Sequence, residues 1–276
     1  MHVKYGICPK PSLVRAEDIV GYNNNFYWIL DGATPPVGGM NHEKTRNFVQ
    51  KANDLLRFHS EKATDTKSLL KKVLSELIAL SDHSDRGYSP YSTIILVHVA
   101  DGVVEYSLLA DSTLGISING RTSIISDERL KDVAVHERDE VRNLVASGTN
   151  EDSVLYTTAR KKLIEAELCQ QNVDGGYWIF KPDMSILEQM ICGSIHFDTS
   201  GDVMIILLSD GLERLVSKFG KYDDVCKLGY ALLSCEDKKI FSELREEELR
   251  CNKAISSLHD DASYILVTNA VSDSDF

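Results

Sequence analysis

Five short runs of apolar, β-branched and aromatic residues, at 26–30, 93–99, 103–109, 203–208 and 263–268, constrain the fold of this chain more than any other feature. Each is about the length of a strand, and most are bounded by Asp, Gly or Asn, residues that let the backbone turn. Two dipeptides sharpen the reading. Asp101-Gly102 separates two of the runs, and Asn119-Gly120 separates 114–118 from 122–125. Such pairs accept positive φ at both positions, which a two-residue antiparallel hairpin requires. The spacing therefore predicts a meander of three or four consecutive strands.

Helical periodicity appears at 43–59, where Phe48, Val49, Ala52, Leu55 and Leu56 share a face. It appears again at 66–81, with Leu69, Leu70, Val73, Leu74, Leu77 and Ile78. These two stretches predict an antiparallel helix pair. Shorter helical patterns occupy 137–146, 154–170, 212–216, 225–233 and 239–254. Strands and helices in this order do not alternate as a parallel sheet demands. They predict an α+β fold in which antiparallel sheets carry helices on their outer faces. With no internal repeat and no Pro/Gly/Ser-rich linker, residues 1–276 read as one domain.

The chain carries 42 acidic and 30 basic residues, a net charge of -12. That excess repels nucleic acid and anionic lipid unless basic residues gather on one face, and no such gathering is visible. Six cysteines (Cys8, Cys169, Cys192, Cys226, Cys235 and Cys251) are scattered singly, which argues against a zinc site. The first eleven residues lack the apolar segment of a signal peptide. No apolar run approaches the roughly 20 residues that span a bilayer. Together these features lead us to expect a cytoplasmic protein that binds neither membrane nor nucleic acid.

Acidic residues recur at the ends of the apolar runs. The first run enters Asp31-Gly32, and a second copy of the pattern ends in Ser209-Asp210-Gly211. Alone, each Asp-Gly reads more simply as a turn, because Asp bonds its own backbone and Gly accepts positive φ. The balance shifts with Glu17 and Asp18 ahead of the first run, Asp111 after the meander strand, and Asp260 and Asp261 ahead of the last. Carboxylates gathered at one sheet edge repel one another and require counter-charge. Oxygen donors without His or Cys suit Mg²⁺ or Mn²⁺. A pair of such ions activates water and clamps a phosphoryl group.

These residues also match a known pattern. In order they are Ala16-Glu17-Asp18, Leu30-Asp31-Gly32-Ala33-Thr34, Tyr91-Ser92-Thr93, Ala110-Asp111-Ser112, Ser126-Asp127-Glu128-Arg129-Leu130, Gly175-Gly176-Tyr177-Trp178, Ser209-Asp210-Gly211-Leu212 and His259-Asp260-Asp261-Ala262-Ser263. The chain resembles the metal-dependent serine/threonine protein phosphatases of type 2C, in particular their compact bacterial branch, from about Arg15 to Val267. The resemblance implies two antiparallel sheets packed face to face with helices outside both, a four-layer α-β-β-α arrangement. It implies two Mn²⁺ or Mg²⁺ ions and a weaker third. Asp31 would bridge the two ions, the Gly32 carbonyl would bind one, and Asp210 and Asp260 would hold the other. Asp111 would help Asp210 bind the third, Glu17 and Asp18 would orient metal-bound water, and Asp261 would steady the turn before the last strand.

Several positions depart from the family. Leu13 stands where many members carry a phosphate-gripping arginine, and Arg15 is the candidate in its place, with a surface arginine the competing reading. Ala33 replaces the histidine that follows Asp-Gly in better-known members. Thr34 and His42 are weak candidates for that role. Ala110 and Tyr91 replace glycines, and Arg214 replaces an acidic residue, which reads as variation within the family. Trp178 reads as part of a packed hairpin.

The expected activity is hydrolysis of phosphoserine or phosphothreonine in a protein by a water activated at a dinuclear centre, opposed by a cognate serine/threonine kinase. A pseudophosphatase that binds without turnover, and a hydrolase of small phosphoesters, are the alternatives left open.

Overall fold

A computed structural model describes residues 1–33, 42–81, 90–150, 152–250 and 259–269. Two five-stranded sheets dominate it. The first is ordered β1-β12-β11-β8-β9, comprising β1 (His2–Cys8), β12 (Ala262–Thr268), β11 (Val203–Leu208), β8 (Thr113–Ile118) and β9 (Arg121–Ser126). The second is ordered β10-β7-β6-β3-β2, comprising β10 (Ile191–His196), β7 (Val103–Leu109), β6 (Ile94–Ala100), β3 (Phe26–Leu30) and β2 (Ile19–Asn23). All pairings are antiparallel. A two-stranded ribbon pairs β4 (Gly32–Ala33) with β5 (Tyr91–Ser92).

The apolar runs alternate between two cores. On β11, Val203, Ile205 and Leu207 face the space between the sheets, where they meet Ile29, Ile95 and Val97 of the other sheet. Met204, Ile206 and Leu208 face outward against helices. Strands β3, β6 and β12 divide their residues in the same way. Both sheet faces are covered, so these strands read as unbroken apolar runs rather than as alternation with polar residues.

On the second sheet lie α1 (His42–Ser60) and α2 (Thr66–Leu80), which bury Val49, Leu56, Leu69, Leu70 and Leu74 over Trp28, Leu30 and Leu96. The Asp65 carboxylate caps α2 by accepting from the Ser68 N–H at 2.7 Å, satisfying one orphan donor of the first turn. On the first sheet lie α5 (Asp210–Ser217), α6 (Val225–Ser234) and α7 (Asp237–Arg250), whose Leu212, Leu228 and Leu244 pack on Ile206, Tyr264 and Leu266. A further pair, α3 (Val135–Ala146) and α4 (Val154–Cys169), buries Val141, Tyr156 and Leu163 against Tyr91, Ala110 and Ile179. The α-β-β-α layering expected from the sequence is present.

Two expectations need correction. The consecutive strands β6 to β9 do not form one meander: β6 and β7 pair in one sheet, β8 and β9 in the other. The chain crosses between sheets at Ala110, whose φ of 66 turns it sharply while its N–H is held by Asp127 Oδ2 at 3.2 Å. Strands β1, β2 and β10 were also not anticipated. Their burial is only partial and their residues are mixed in polarity, as befits strands at the sheet edges. Of the helix expected at 239–254, residues 251–254 lie outside the described residues.

Both hairpin dipeptides behave as read. Asp101 and Gly102 have φ of 50 and 73, and Asn119 and Gly120 have φ of 48 and 77. A Cβ added at Gly120 would meet nothing within 4 Å, so substitution there isolates the backbone term. Gly120→Ala is expected to destabilise the protein by about 1–2 kcal/mol, read as a melting midpoint about 4 °C lower. An unchanged midpoint would show that the β8–β9 turn does not require the left-handed conformation.

Candidate metal centre

Five strand termini from both sheets converge at one end of the sandwich, and each delivers a carboxylate. Asp18 precedes β2, Asp31 follows β3, Asp111 follows β7, Asp210 follows β11 and Asp260 precedes β12. Their mutual influence places them together. Asp31 is held well above the usual carboxylate range first by burial and then by Asp18, Asp210, Asp260 and Asp111. Burial, then Asp260, raises Asp210 in the same way, with Arg214 acting against the shift. Burial also raises Asp111. Asp18 is pushed up to about 7 by burial and by Asp261.

The short motifs around these residues hold the strand ends in place. The Thr93 N–H donates to the Asp31 carbonyl at 2.8 Å, and the Thr93 and Ser112 hydroxyls meet at 2.6 Å. Ser92-Thr93 thereby ties Asp31 to the Asp111 turn. Asp127 receives a bidentate pair from Arg129 at 2.8 and 2.6 Å while holding the Ala110 N–H, which fixes the same turn from the other side. Ser209 and Ser263 exchange backbone and hydroxyl hydrogen bonds at 3.1 and 2.9 Å, linking the Asp210 and Asp260 ends. Asp261 accepts the Lys10 and Glu17 N–H groups at 2.7 and 2.6 Å. It thus anchors the loop that carries Asp18.

The glycines of the two Asp-Gly copies are required for a reason other than a turn. Neither Gly32 nor Gly211 has a positive φ. A Cβ on Gly211 would lie 1.9 Å from the Asp261 carbonyl oxygen, and one on Gly32 would lie 2.8 Å from that of Glu17. Close backbone approach, which draws the strand ends together, is what excludes a side chain at both places.

The donor set fits hard divalent cations. Both Asp18 oxygens are buried without a hydrogen bond of proper geometry, although the Ser263 hydroxyl and the Asp31 carboxyl stand beside them. Four further carboxyls resist ionisation or crowd those that do. Among the described residues, no three His, Cys, Asp or Glu side chains are close enough to grip one ion alone. Carboxylate oxygens are the donors that Mg²⁺ and Mn²⁺ take, one or two at a time, with several waters kept.

Other sequence candidates lie differently. The Glu17 side chain is buried and faces His42 Nδ1 at 2.9 Å and Lys10 Nζ at 3.6 Å. Arg15 is exposed and lines a cavity of about 740 Å³ together with Glu17, His42 and Arg46. Thr34 lies outside the described residues. Trp178 is buried in the core beneath α1 and α2. Reading the sequence missed a charged cluster behind Asp260: Arg214, Arg245, Glu248 and His259. The signal was present in part, since Arg214 follows Asp210 by four residues on a helix and must lie over it.

Linkage makes the crowding measurable. Asp18 binds its proton more tightly in the folded chain, near 7, than at its ordinary value of 3.8. Its contribution to stability therefore falls as pH rises from about 4 through 7. Asparagine mimics the protonated carboxyl, so Asp18→Asn is expected to stabilise the chelator-stripped protein more at pH 7.5 than at pH 5. The expected difference in midpoint is about 3 °C; equal effects at both pH values would contradict the crowding.

No family model matches the sequence, and no curated protein matches it either. Solved structures do match in three dimensions. The Mycobacterium tuberculosis serine/threonine phosphatase PstP shares 14% identity over 96% of this chain and 97% of that one, with a TM-score of 0.57. Its catalytic domain in complex with 2 manganese ions gives 14% identity, 96% coverage of each chain and a TM-score of 0.55. The Staphylococcus aureus phosphatase Stp1 gives 12% identity over 98% of this chain and 95% of that one, with a TM-score of 0.56. At these identities the likeness establishes the architecture: this chain has the fold of the bacterial serine/threonine phosphatases over nearly its whole length.

Proposed function

We propose that the chain is a metal-dependent phosphatase acting on phosphoserine or phosphothreonine in proteins. The observation that carries this reading is the convergence of Asp18, Asp31, Asp111, Asp210 and Asp260, several of them with raised proton affinity, at one end of a phosphatase-type sandwich. Two ions held there, Mn²⁺ or Mg²⁺, would supply a Lewis-acid clamp for a phosphoryl group and lower the pKa of water. Asp31 would lie between the ions, with the Gly32 carbonyl on one and Asp210 and Asp260 on the other. Asp111 would serve a weaker third ion with Asp210. Glu17, Asp18 and Asp261 would hold the surrounding water and backbone in register.

A cavity that meets this region at Glu17, the residue before Asp18, is in keeping with a phosphorylated substrate, although none of the five aspartates lines it. Arg15 and Arg46 line it, and a guanidinium offers paired donors to phosphate oxygens. Arg15 is the proposed phosphate-binding group. A cytoplasmic setting, opposite a serine/threonine kinase that installs the phosphate, completes this reading.

Two experiments test it. Wild type should hydrolyse p-nitrophenyl phosphate and a phosphothreonine peptide with Mn²⁺ and stop when chelator is added. Asp210→Asn should lower kcat by about 100-fold or more while leaving the far-ultraviolet circular dichroism unchanged. Wild type that binds the phosphopeptide without turnover would identify a pseudophosphatase, and turnover of small esters alone would identify a small-molecule phosphoesterase. Arg15→Ala should raise KM for the peptide by about tenfold with a smaller effect on kcat. An unchanged KM would return Arg15 to the role of an ordinary surface residue.

A further inference from the structure

Arg214 stands against two of the clustered carboxylates. Helix α5 begins at Asp210, so Arg214 lies one turn on and over it. Its Nη2 stands 2.9 Å from Asp260 Oδ2 and 3.8 Å from Asp210 Oδ2. The side chain is only 7% exposed. Its Nη1 faces Glu248 Oε1 at 3.8 Å, and Glu248 on α7 is wholly buried. Glu248 is itself held by Arg245 at 2.8 and 2.9 Å and faces His259 Nδ1 at 2.6 Å. Arg245 also donates to the Asp260 carbonyl at 2.9 Å. The guanidinium thus stands between the buried Glu248 carboxylate and Asp260.

We propose that Arg214 is a built-in counter-cation that competes with the divalent ion held by Asp210 and Asp260, so that this half of the centre loads only at high metal concentration. The proposal rests on the ligand assignment made above. Both Asp260 oxygens are already engaged: Oδ2 by Arg214, and Oδ1 by the Asp261 N–H at 3.0 Å. A metal ion that takes Asp260 at Oδ2 must share that oxygen with the guanidinium or displace it, and one that takes Oδ1 shares it with the Asp261 N–H. It must also approach a fixed positive charge at short range in a site of low dielectric. Arg214 stands directly against Asp210 and Asp260. The Asp31 side of the site, next to the orphaned Asp18 oxygens, is therefore the tight side. Arg214 also joins the Asp210 and Asp260 strand ends.

The test uses the full chain stripped of metal, with Mn²⁺ binding counted from the electron paramagnetic resonance signal of free Mn²⁺. Wild type should bind one ion tightly and a second at least about tenfold more weakly. Arg214→Gln should tighten the second by about tenfold or more and leave the first nearly unchanged. It should also lower the metal-free melting midpoint. Glu248 keeps Arg245 and His259 in that variant, so the fold is expected to survive, and Arg214→Met provides a second uncharged replacement. Arg214→Lys, which keeps the charge, should keep the second ion weak. Two ions of matching affinity in wild type and Arg214→Gln would overturn the proposal while leaving the ligand assignment standing. Absence of Mn²⁺ binding in both proteins would overturn the ligand assignment and the proposal with it.

Discussion

Repulsion among carboxylates that the fold forces together is the constraint on which the rest of this structure depends. Asp18, Asp31, Asp111, Asp210 and Asp260 come from five strand ends in two sheets, and burial raises the proton affinity of several of them. A chain does not hold such a cluster for stability, since each ionised pair adds unfavourable energy and desolvation enlarges it. The arrangement is sustained by everything around it. Hydroxyl and backbone bridges at Thr93, Ser112, Ser209 and Ser263, and the clamp of Asp261 on the Lys10 and Glu17 amides, oppose the repulsion locally.

The sandwich supplies the larger opposing force. Its three central strands in each sheet bury side chains on both faces, so the strand ends have little freedom to splay. Close backbone contact at Gly211 and Gly32 draws those ends together. The charged cluster of Arg214, Arg245, Glu248 and His259 continues this logic outward. It joins α5 and α7 to the loop before β12, and it places a cation beside Asp210 and Asp260. Arginine at this position changes the charge balance of the centre without removing any ligand.

Reading the residues alone identified the apolar runs, both hairpin dipeptides, all seven described helices and the acidic strand ends. Periodicity and turn chemistry are local properties, so they are legible before folding. The edge strands β1, β2 and β10 were not legible, because half-exposed strands of mixed polarity carry little pattern. The split of the expected meander was hidden for a related reason. A single residue, Ala110 in a left-handed conformation, sends the chain from one sheet to the other, and alanine gives no sign of such a conformation. The Asp-Gly pairs were noticed as turn signals, but their glycines serve close approach instead.

The sequence by itself determined that this chain forms antiparallel sheets with helices outside and that acidic residues lie at strand ends. It did so because strand, helix and turn preferences depend on neighbours within a few residues. Only the tertiary structure decided which acids share one centre and which do not. Asp18, Asp31, Asp111, Asp210 and Asp260 converge, while Glu17 turns toward His42 and Lys10 and Asp261 turns toward backbone amides. It also decided that Arg214, which the sequence showed only as a departure from the family pattern, stands against Asp210 and Asp260. Charges separated by tens or hundreds of residues interact through space, and their energies are set by distances and burial that exist only after the sheets have packed.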